Sequence, residues 1–312
     1  MIVIRYLNSD NIQYVIKNRF IFRTLILLMC NGFSKKNLEF VRLCIQLKQV
    51  KKVRRQIKTK VDDICIKGNL NSRLVNPHEV VWVCWFQGID DAPEIVKKCF
   101  SKVSLLEGKE IVLVTSDNYL EYTNFPEHIL KKWDEGLITP THFSDLLRVE
   151  LLTRHGGVWL DSTVFLSAQH LPSYLDYSTF FCYQILKPGL NGHSIICSSW
   201  AISASKNSLL LEVVRDYLYE YWEKEVKLID YFLFHIVLSA VLIEIEEKGI
   251  RIPKQCNSVS HLLQLEMHDD FSDIRWHEIK STTSLHKLTY KFDSECVNEN
   301  SFINGILNGK CD

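Results

Sequence analysis

The stretch that decides the fold runs from Thr141 to Thr163 and reads THFSDLLRVELLTRHGGVWLDST. Its leucines recur at the spacing of one helical face, and Ser144 is a suitable N-cap, so we expect a helix to begin there. Gly156 can end that helix in a left-handed conformation. The apolar run that follows predicts a buried strand, and Asp161 stands at its carboxyl end.

Alternating strands and helices extend outward from this stretch. Residues 80–86 form a continuous apolar run, as expected of a strand that is buried on both faces, and residues 110–114 form a second one. Further strands and helices are predicted at 179–184, 195–203, 208–225 and 230–248, with a last strand near Leu288. This alternation predicts an α/β fold, in which a Rossmann-like, mostly parallel sheet lies between flanking helices.

The first 75 residues differ in charge from the rest of the chain. They carry 16 Lys or Arg and four Asp or Glu, a net charge of +12, although the whole chain is neutral. Apolar and basic residues mix there without strict alternation, which predicts helices. We therefore divide the chain into a basic helical N-terminal extension, residues 1–75, and an α/β domain, residues 76–312.

Two interpretations of the basic extension stay open. Residues 1–60 form either a basic amphipathic surface that contacts an anionic membrane, or a solvated helical face that packs on the α/β domain. A nucleic-acid partner is not expected. The basic run from Lys51 to Arg55 lacks interleaved aromatic residues, and no recognition motif accompanies it.

Composition indicates a cytoplasmic protein. The ten cysteines are scattered without any Cys-x-x-Cys pair, so we expect neither a zinc site nor a disulfide framework, and a reducing compartment fits. No run reaches the roughly 18 apolar residues of a membrane span. The basic extension then offers a peripheral attachment to the inner face of the cell membrane.

Polar residues follow the predicted strands at the edge where an open α/β sheet binds its ligands. They are Gln87-Gly88, the segment 115–118 and Asp161-Ser162-Thr163. Asp145 and Arg148, three residues apart, share one face of a helix near its N-terminus, which favours anions. A diphosphate leaving group needs positive charge from a metal, from Lys or Arg, or from a helix N-terminus. Taken alone, Asp145 and Arg148 are better explained as a plain intrahelical ion pair, and it is the Gly-Gly strand and Asp161 after them that favour a binding site.

Ser-Asp-x-x-Arg, seven residues, then Gly-Gly-x-Trp-Leu-Asp, from Ser144 to Asp161, resembles the donor-binding core of glycosyltransferase family 32. More closely, residues 75–292 are similar to the bacterial capsular polysaccharide synthesis protein family. The further matching motifs are Trp82-x-x-Trp85-x-Gln87-Gly88, Ala92-Pro93, Asp117-Asn118-Tyr119, Ser199-Trp200, Asp230-Tyr231-Phe232 and His286-Lys287-Leu288-x-Tyr290-Lys291. The resemblance implies a GT-A catalytic domain over residues 76–312. It also implies a retaining transfer from a nucleotide-sugar donor to an oligosaccharide or lipid-linked glycan acceptor.

The resemblance assigns roles to individual residues. Asp145, Arg148 and Asp161 would be the catalytic residues: the first two would grip the donor sugar, and Asp161 would open an Asp-x-Asp metal motif. Trp159 would stack near the nucleotide. The full set expected to bind the donor is Trp85, Gln87, Gly88, Asp117, Asn118, Ser144, Asp145, Arg148, Trp159, Leu160, Lys287 and Lys291.

A divalent cation, Mn²⁺ or Mg²⁺, is the cofactor that the resemblance implies. The sequence departs from the pattern at Thr163, where the relatives carry a second carboxylate. One carboxylate with one hydroxyl holds such a cation weakly. We therefore expect His286 to join Asp161 and Thr163 as a ligand, or else Lys287 or Lys291 to neutralise the diphosphate.

The missing carboxylate keeps a second class of function open. This alternative is a non-catalytic protein that binds a nucleotide sugar or a glycan within a polysaccharide assembly complex. No Gly-x-Gly-x-x-Gly follows the first strand, which argues against a dinucleotide-dependent dehydrogenase. Asp230 and His235 belong to an apolar helix, where we expect them to be an N-cap and a core histidine.

Overall fold

The computed structural model describes residues 9–67, 76–186, 193–292 and 298–311. Its N-terminal part is helical, as the mixture of apolar and basic residues predicts. The three helices are α1 Ser9–Lys17, α2 Ile21–Asn31 and α3 Lys35–Lys67, of which α3 is 33 residues long. Among the described residues, no helix has both the length and the apolar composition that crossing a bilayer requires.

Five strands form the central sheet, in the order β2-β1-β3-β6-β5. The strands in the described residues are β1 Val80–Cys84, β2 Glu110–Val114, β3 Gly157–Asp161, β4 Val164–Leu166, β5 Phe180–Gln184, β6 Cys197–Ala204 and β7 Leu285–Lys287. β1 pairs in parallel with β2 and β3, and β6 runs antiparallel to β3 and β5. All strands of this sheet except β6 therefore point the same way, which confirms the predicted mostly parallel sheet. β4 and β7 form a separate antiparallel pair.

Helices flank the sheet, as predicted. They are α4 Glu94–Val103, α5 Tyr119–Tyr122, α6 Glu127–Asp134, α7 Pro140–His155, α8 Ser173–Asp176, α9 Leu209–Lys224, α10 Leu233–Glu247, α11 Leu262–Leu265, α12 Asp273–Thr282 and α13 Phe302–Leu307. The expected start of α7 at Ser144 is wrong. Thr139 is its N-cap and accepts from the backbone N–H of His142. Pro140 then occupies the first helical position, where the fixed φ of proline favours a helix, so Ser144 lies within the first turns.

The two faces of the sheet have separate cores, because side chains alternate along a strand. Trp82 and Trp159 face the side where α3, α7, α9 and α10 pack, whereas Val83 and Leu160 face the other side. The residues that α3 contributes to the first core are Val50, Val53, Ile57, Val61 and Ile64. The long basic helix thus shares the main hydrophobic core, and the domain boundary at residue 75 stays a prediction.

Two glycines make the turn between α7 and β3. Gly156 and Gly157 have φ values of 74° and 102°, a region that only glycine adopts readily. A Cβ on Gly156 would lie 2.5 Å from the backbone nitrogen of Lys206, and one on Gly157 would lie 2.5 Å from the carbonyl oxygen of Val80. The tight turn holds the end of α7 directly against the sheet.

Candidate active site

Three strand ends lie side by side at one edge of the sheet. Cys84 at the end of β1 is in register with Asp161 of β3 and with Val114 of β2. The loops that follow β1 and β2 are joined, since the backbone N–H of Ser116 donates to the carbonyl oxygen of Phe86 at 3.0 Å. The register therefore brings the three predicted polar segments to one edge, where α/β sheets bind ligands.

Helix α7 brings Asp145 and Arg148 to this edge. Arg148 Nη1 donates to Asp145 Oδ1 at 2.8 Å, and Arg148 Nη2 donates to Asp161 Oδ1 at 3.2 Å. Asp145 and Arg148 are buried, whereas the Asp161 side chain keeps 25% of its surface exposed. One guanidinium therefore bridges a carboxylate from the helix and a carboxylate from the strand. The predicted convergence of these three side chains is present in the structure.

Trp159 contacts both Asp161 and Arg148 of this bridge. Its indole Nε1 donates to Asp161 Oδ1 at 3.0 Å, and the Arg148 guanidinium lies 5.0 Å from its ring centroid. Phe234 of α10 lies on the guanidinium as well, at 5.6 Å. Trp159 is 1% exposed, so it orients the charged groups and has no free face on which a nucleotide could stack. Leu160, fully buried in the opposite core, also has no surface for the donor.

Lys287 is the fourth charged residue of the cluster and contacts Asp161 on the side opposite Arg148. It lies at the end of β7, opposite Val164 of β4, and its Nζ donates to Thr163 Oγ1. The same Nζ lies 3.4 Å from Asp161 Oδ2. The side chains of Lys287 and Asp161 are 19% and 25% exposed, so this is the side from which a ligand can reach the cluster.

The charged groups of the cluster stabilise one another in their ionised forms. Burial alone would raise the pKa of Asp145, but the Arg148 guanidinium and the nearby His142 lower it overall. Burial likewise opposes ionisation of Asp161, but Lys287 and Arg148 lower its pKa below the ordinary range. Both carboxylates are therefore ionised at neutral pH. Burial raises the pKa of the adjacent Cys84 thiol to about 12, which makes this cysteine a poor nucleophile.

Two histidines also belong to this neighbourhood. His142 is buried, with its Nδ1 3.4 Å from Asp145 Oδ2. Its position three residues before Asp145, the mirror of the Arg148 spacing, was the signal that could have revealed it. His235 of α10 is half-buried, and burial lowers its pKa, within the electrostatic field of Asp145 and Arg148.

His286, which was expected to complete a divalent-cation site with Asp161 and Thr163, does not reach them. His286 is fully buried on the other face of β7, where its Nε2 hydrogen-bonds with Ser167 and its ring packs against Trp276. Thr163 accepts from Lys287, as described. In the described part of the chain, no group of three or more His, Cys, Asp or Glu side chains is arranged to bind a metal. This donor set does not fit Mn²⁺ or Mg²⁺.

Four further predicted donor residues lie on the loops that follow β1 and β2 at the same edge. Gln87 and Asp117 are exposed, and Trp85 is half-buried with its ring edge-on to Tyr290. Asn118 instead closes its own loop: its side chain accepts from the N–H of Thr115 and donates to the carbonyl of Leu113.

Three other predicted donor residues lie apart from the charged cluster. Gly88 lies in the turn after β1 at φ 82°. Ser144 is half-buried within α7. Lys291 is exposed beside Tyr290 and is not brought to Asp161.

Residues 35–306 match the family model described as capsular polysaccharide synthesis protein. The chain therefore belongs to this family, which places it among proteins of capsular polysaccharide synthesis. No curated protein matches the chain. A solved structure described as "PaToxG Glycosyltransferase" is similar at 13% identity and a TM-score of 0.37, covering 70% of this chain and 92% of that one. A likeness this distant leaves the activity to be argued from the site.

Proposed function

We propose that this protein is a glycosyltransferase of the GT-A type. It would transfer a sugar from a nucleoside diphosphate sugar to a glycan acceptor in the synthesis of a surface polysaccharide. The observation that carries the proposal is the bridge from Asp145 through Arg148 to Asp161, open to solvent on the Lys287 side. Family membership supports it.

The cluster has the chemistry that such a donor requires. The carboxylates can accept hydrogen bonds from sugar hydroxyls, and the positive charges of Arg148 and Lys287 can stabilise the negative charge of a diphosphate. Because the groups are fixed by one another before any ligand arrives, little reorganisation is needed when charge develops on the leaving group. By its resemblance to family 32 enzymes, the transfer is proposed to retain the configuration of the sugar.

The acceptor is proposed to bind beside the donor, in a cleft of about 380 Å³ whose lining includes His235, Ser198 and Asn257. β6 runs antiparallel to β3, so its first residues lie at the same edge of the sheet as Asp161. Hydroxyl, amide and imidazole groups in a concave site suit the hydroxyl groups of a glycan.

Release of nucleotide from a nucleotide sugar tests the function. Incubation with UDP-, GDP- and dTDP-sugars should give slow release of the nucleoside diphosphate with one of them. Asp161→Asn should lower that release about 100-fold or more, because it removes a charge that holds Arg148 and Lys287 in place. Asp134→Asn, at an exposed aspartate that ends α6, is the matched control and should leave the release unchanged.

Nucleotide release, measured beside ligand-induced thermal shift, distinguishes a transferase from a non-catalytic binding protein. A non-catalytic binding partner would show a ligand-induced rise in melting temperature with a nucleotide sugar or a glycan, but no release of nucleotide above the buffer rate. Absence of release with every donor would overturn the transferase proposal. The anomer that first appears in the NMR spectrum of the released sugar reports retention or inversion.

A peripheral membrane location is proposed from the outer face of the N-terminal helices. Phe22 and Met29 of α2 are 75% and 77% exposed, and Leu25, which lies between them, is 52% exposed. A cleft of about 1110 Å³ between α2 and α3 adds positive charge; its cationic lining is Lys17, Arg19, Arg23, Lys48, Lys51, Lys52 and Arg55, against the single carboxylate Glu225. An apolar helix face beside clustered cations complements an anionic bilayer surface.

Vesicle flotation tests this location. The protein should float with vesicles of phosphatidylcholine and phosphatidylglycerol in equal amounts, and far less with phosphatidylcholine alone. Phe22→Ser/Met29→Ser should weaken binding at least about 10-fold, since each side chain buries apolar area in the bilayer. Leu265→Ser/Ile274→Ser removes two side chains, each 76% exposed, on other helices, and should change nothing. Equal loss in both variants, or no flotation at all, would contradict the proposal.

A further inference from the structure

Both oxygens of the Asp161 carboxylate are already occupied by positive or donating groups. Oδ1 accepts from Arg148 and from the indole of Trp159, and Oδ2 faces Lys287. The hydroxyl of Thr163, the other oxygen expected to bind a metal, accepts from Lys287. A divalent cation placed on these oxygens would meet the Lys287 ammonium at contact distance, and like charges repel.

We propose that Lys287, together with Arg148, supplies the positive charge that stabilises the nucleoside diphosphate, so that this protein binds its donor without a divalent cation. The inference rests on the proposed function and specifies how that site works. Lys287 is thereby a donor-binding and catalytic residue.

The position of Lys287 suits this role. Its backbone is fixed by the pairing of β7 with β4, and its side chain is anchored to Thr163 and Asp161. An ammonium group has three N–H donors. Its remaining contact, the carbonyl oxygen of Leu288, is at 3.5 Å, the outer limit of a hydrogen bond. One donor is thus available to a phosphate oxygen on the partly exposed side of the cluster.

The transfer needs the positive charge of Lys287 and Arg148 when the diphosphate leaves the sugar. The bond between the anomeric carbon of the sugar and a diphosphate oxygen breaks, and its electron pair leaves with that oxygen. The acceptor hydroxyl forms the new bond to carbon and gives up its proton to the leaving diphosphate or to solvent. Negative charge therefore grows on the diphosphate, and the ammonium and guanidinium groups stabilise it there.

Binding of nucleoside diphosphates in the presence of EDTA tests the inference. UDP, GDP and dTDP are compared by thermal shift and calorimetry in EDTA, in Mn²⁺ and in Mg²⁺. We expect one of them to bind in EDTA with an affinity that Mn²⁺ changes less than about 3-fold. Binding that requires Mn²⁺ or Mg²⁺ overturns the inference and leaves the proposed function intact. Absence of binding in every buffer overturns both.

Substitution of Lys287 provides a second test of the inference. Lys287→Met should weaken binding in EDTA about 10- to 100-fold, the effect of losing a hydrogen bond from a charged donor, and Lys287→Arg should restore part of it. Lys280→Met, at an exposed lysine in the last turn of α12, should bind like the unaltered protein. Equal loss in both methionine variants would overturn the inference, because it would mean that positive charges contribute to binding wherever they lie and that Lys287 has no specific role.

Thr163→Asp keeps the test informative even where Lys287→Met folds poorly. The new carboxylate would pair with Lys287 and create an oxygen pair with Asp161 that suits a hard cation. This variant should bind the nucleotide more weakly in EDTA and recover with Mn²⁺. A merely structural Lys287 predicts no such gain of metal dependence, and its absence would count against the proposal.

Discussion

The cluster at the sheet edge and the outer face of the N-terminal helices both carry charge, but they differ in how it is held. At the sheet edge, Arg148 and Lys287 contact carboxylates and lie largely out of water. On α3, Lys51, Lys52 and Arg55 are exposed, and no carboxylate of the described residues lies within ion-pair distance of them. The first arrangement is rigid and specific in geometry, and the second is diffuse.

The difference indicates two modes of recognition. Paired, buried charges have fixed directions and can select one small ligand by shape. Unpaired, solvated charges act through their summed potential, which suits an extended anionic surface and weakens with salt. The two regions should therefore respond very differently to substitution, and the free energy of unfolding gives a common measure of that response.

Arg148→Met should have the largest effect. It leaves the buried carboxylate of Asp145 without its main counter-charge, and breaking a buried pair costs about 3–5 kcal/mol. Urea denaturation followed by tryptophan fluorescence measures the loss. The double variant Asp145→Asn/Arg148→Met removes both charges and should recover much of the stability. A loss under about 1 kcal/mol in the single variant would show that the cluster is as diffuse as the N-terminal face.

Gly156→Ala should come next. A Cβ there overlaps the backbone nitrogen of Lys206 at 2.5 Å, in the turn that holds α7 against β3. Gly136→Ala is the matched control, because its φ of 69° is close to the 74° of Gly156 and nothing lies within 4 Å of the added atom. The overlap should cost about 1–3 kcal/mol beyond the control. Equal losses in the two variants would mean that the turn is not tightly held.

The pH dependence of stability should be smaller. Burial lowers the pKa of His286 from 6.5 to about 3, so the unfolded chain binds this proton before the folded protein does. The contribution of His286 is fully present above pH 6.5 and is lost progressively as the pH falls toward 3. At about pH 5.5 the loss is about 1.4 kcal/mol. His286→Gln should remove this part of the slope in denaturation series; an unchanged slope would contradict the buried position.

The Phe22→Ser/Met29→Ser variant should have the smallest effect on unfolding. These side chains are three-quarters exposed, and surface substitutions away from the core change stability by less than about 0.5 kcal/mol. Vesicle binding would fall while stability stays constant. A large loss of stability would show instead that α2 packs on another part of the chain, and the contrast between the two regions would disappear.

Much of the candidate site could be predicted from sequence because its rules are local. Residues three apart on a helix share a face, which relates Asp145 to Arg148. Strand ends of a parallel sheet share an edge, which relates both to Asp161. The burial of Trp159 and Leu160 could not be predicted, because it depends on which helices cover each face of the sheet. Likewise, charge suggested an autonomous extension, but only packing shows that α3 shares the core.

The sequence by itself determined the order of strands and helices, the glycine turn and the three charged residues around it. It left open which group from the C-terminal segment, His286, Lys287 or Lys291, meets Asp161. The tertiary structure decided this through the pairing of β4 with β7, which brings Lys287 to Thr163, 124 positions earlier in the chain. Since side chains alternate along a strand, a shift of one residue in register would exchange His286 for Lys287. Only the packed fold fixes that register.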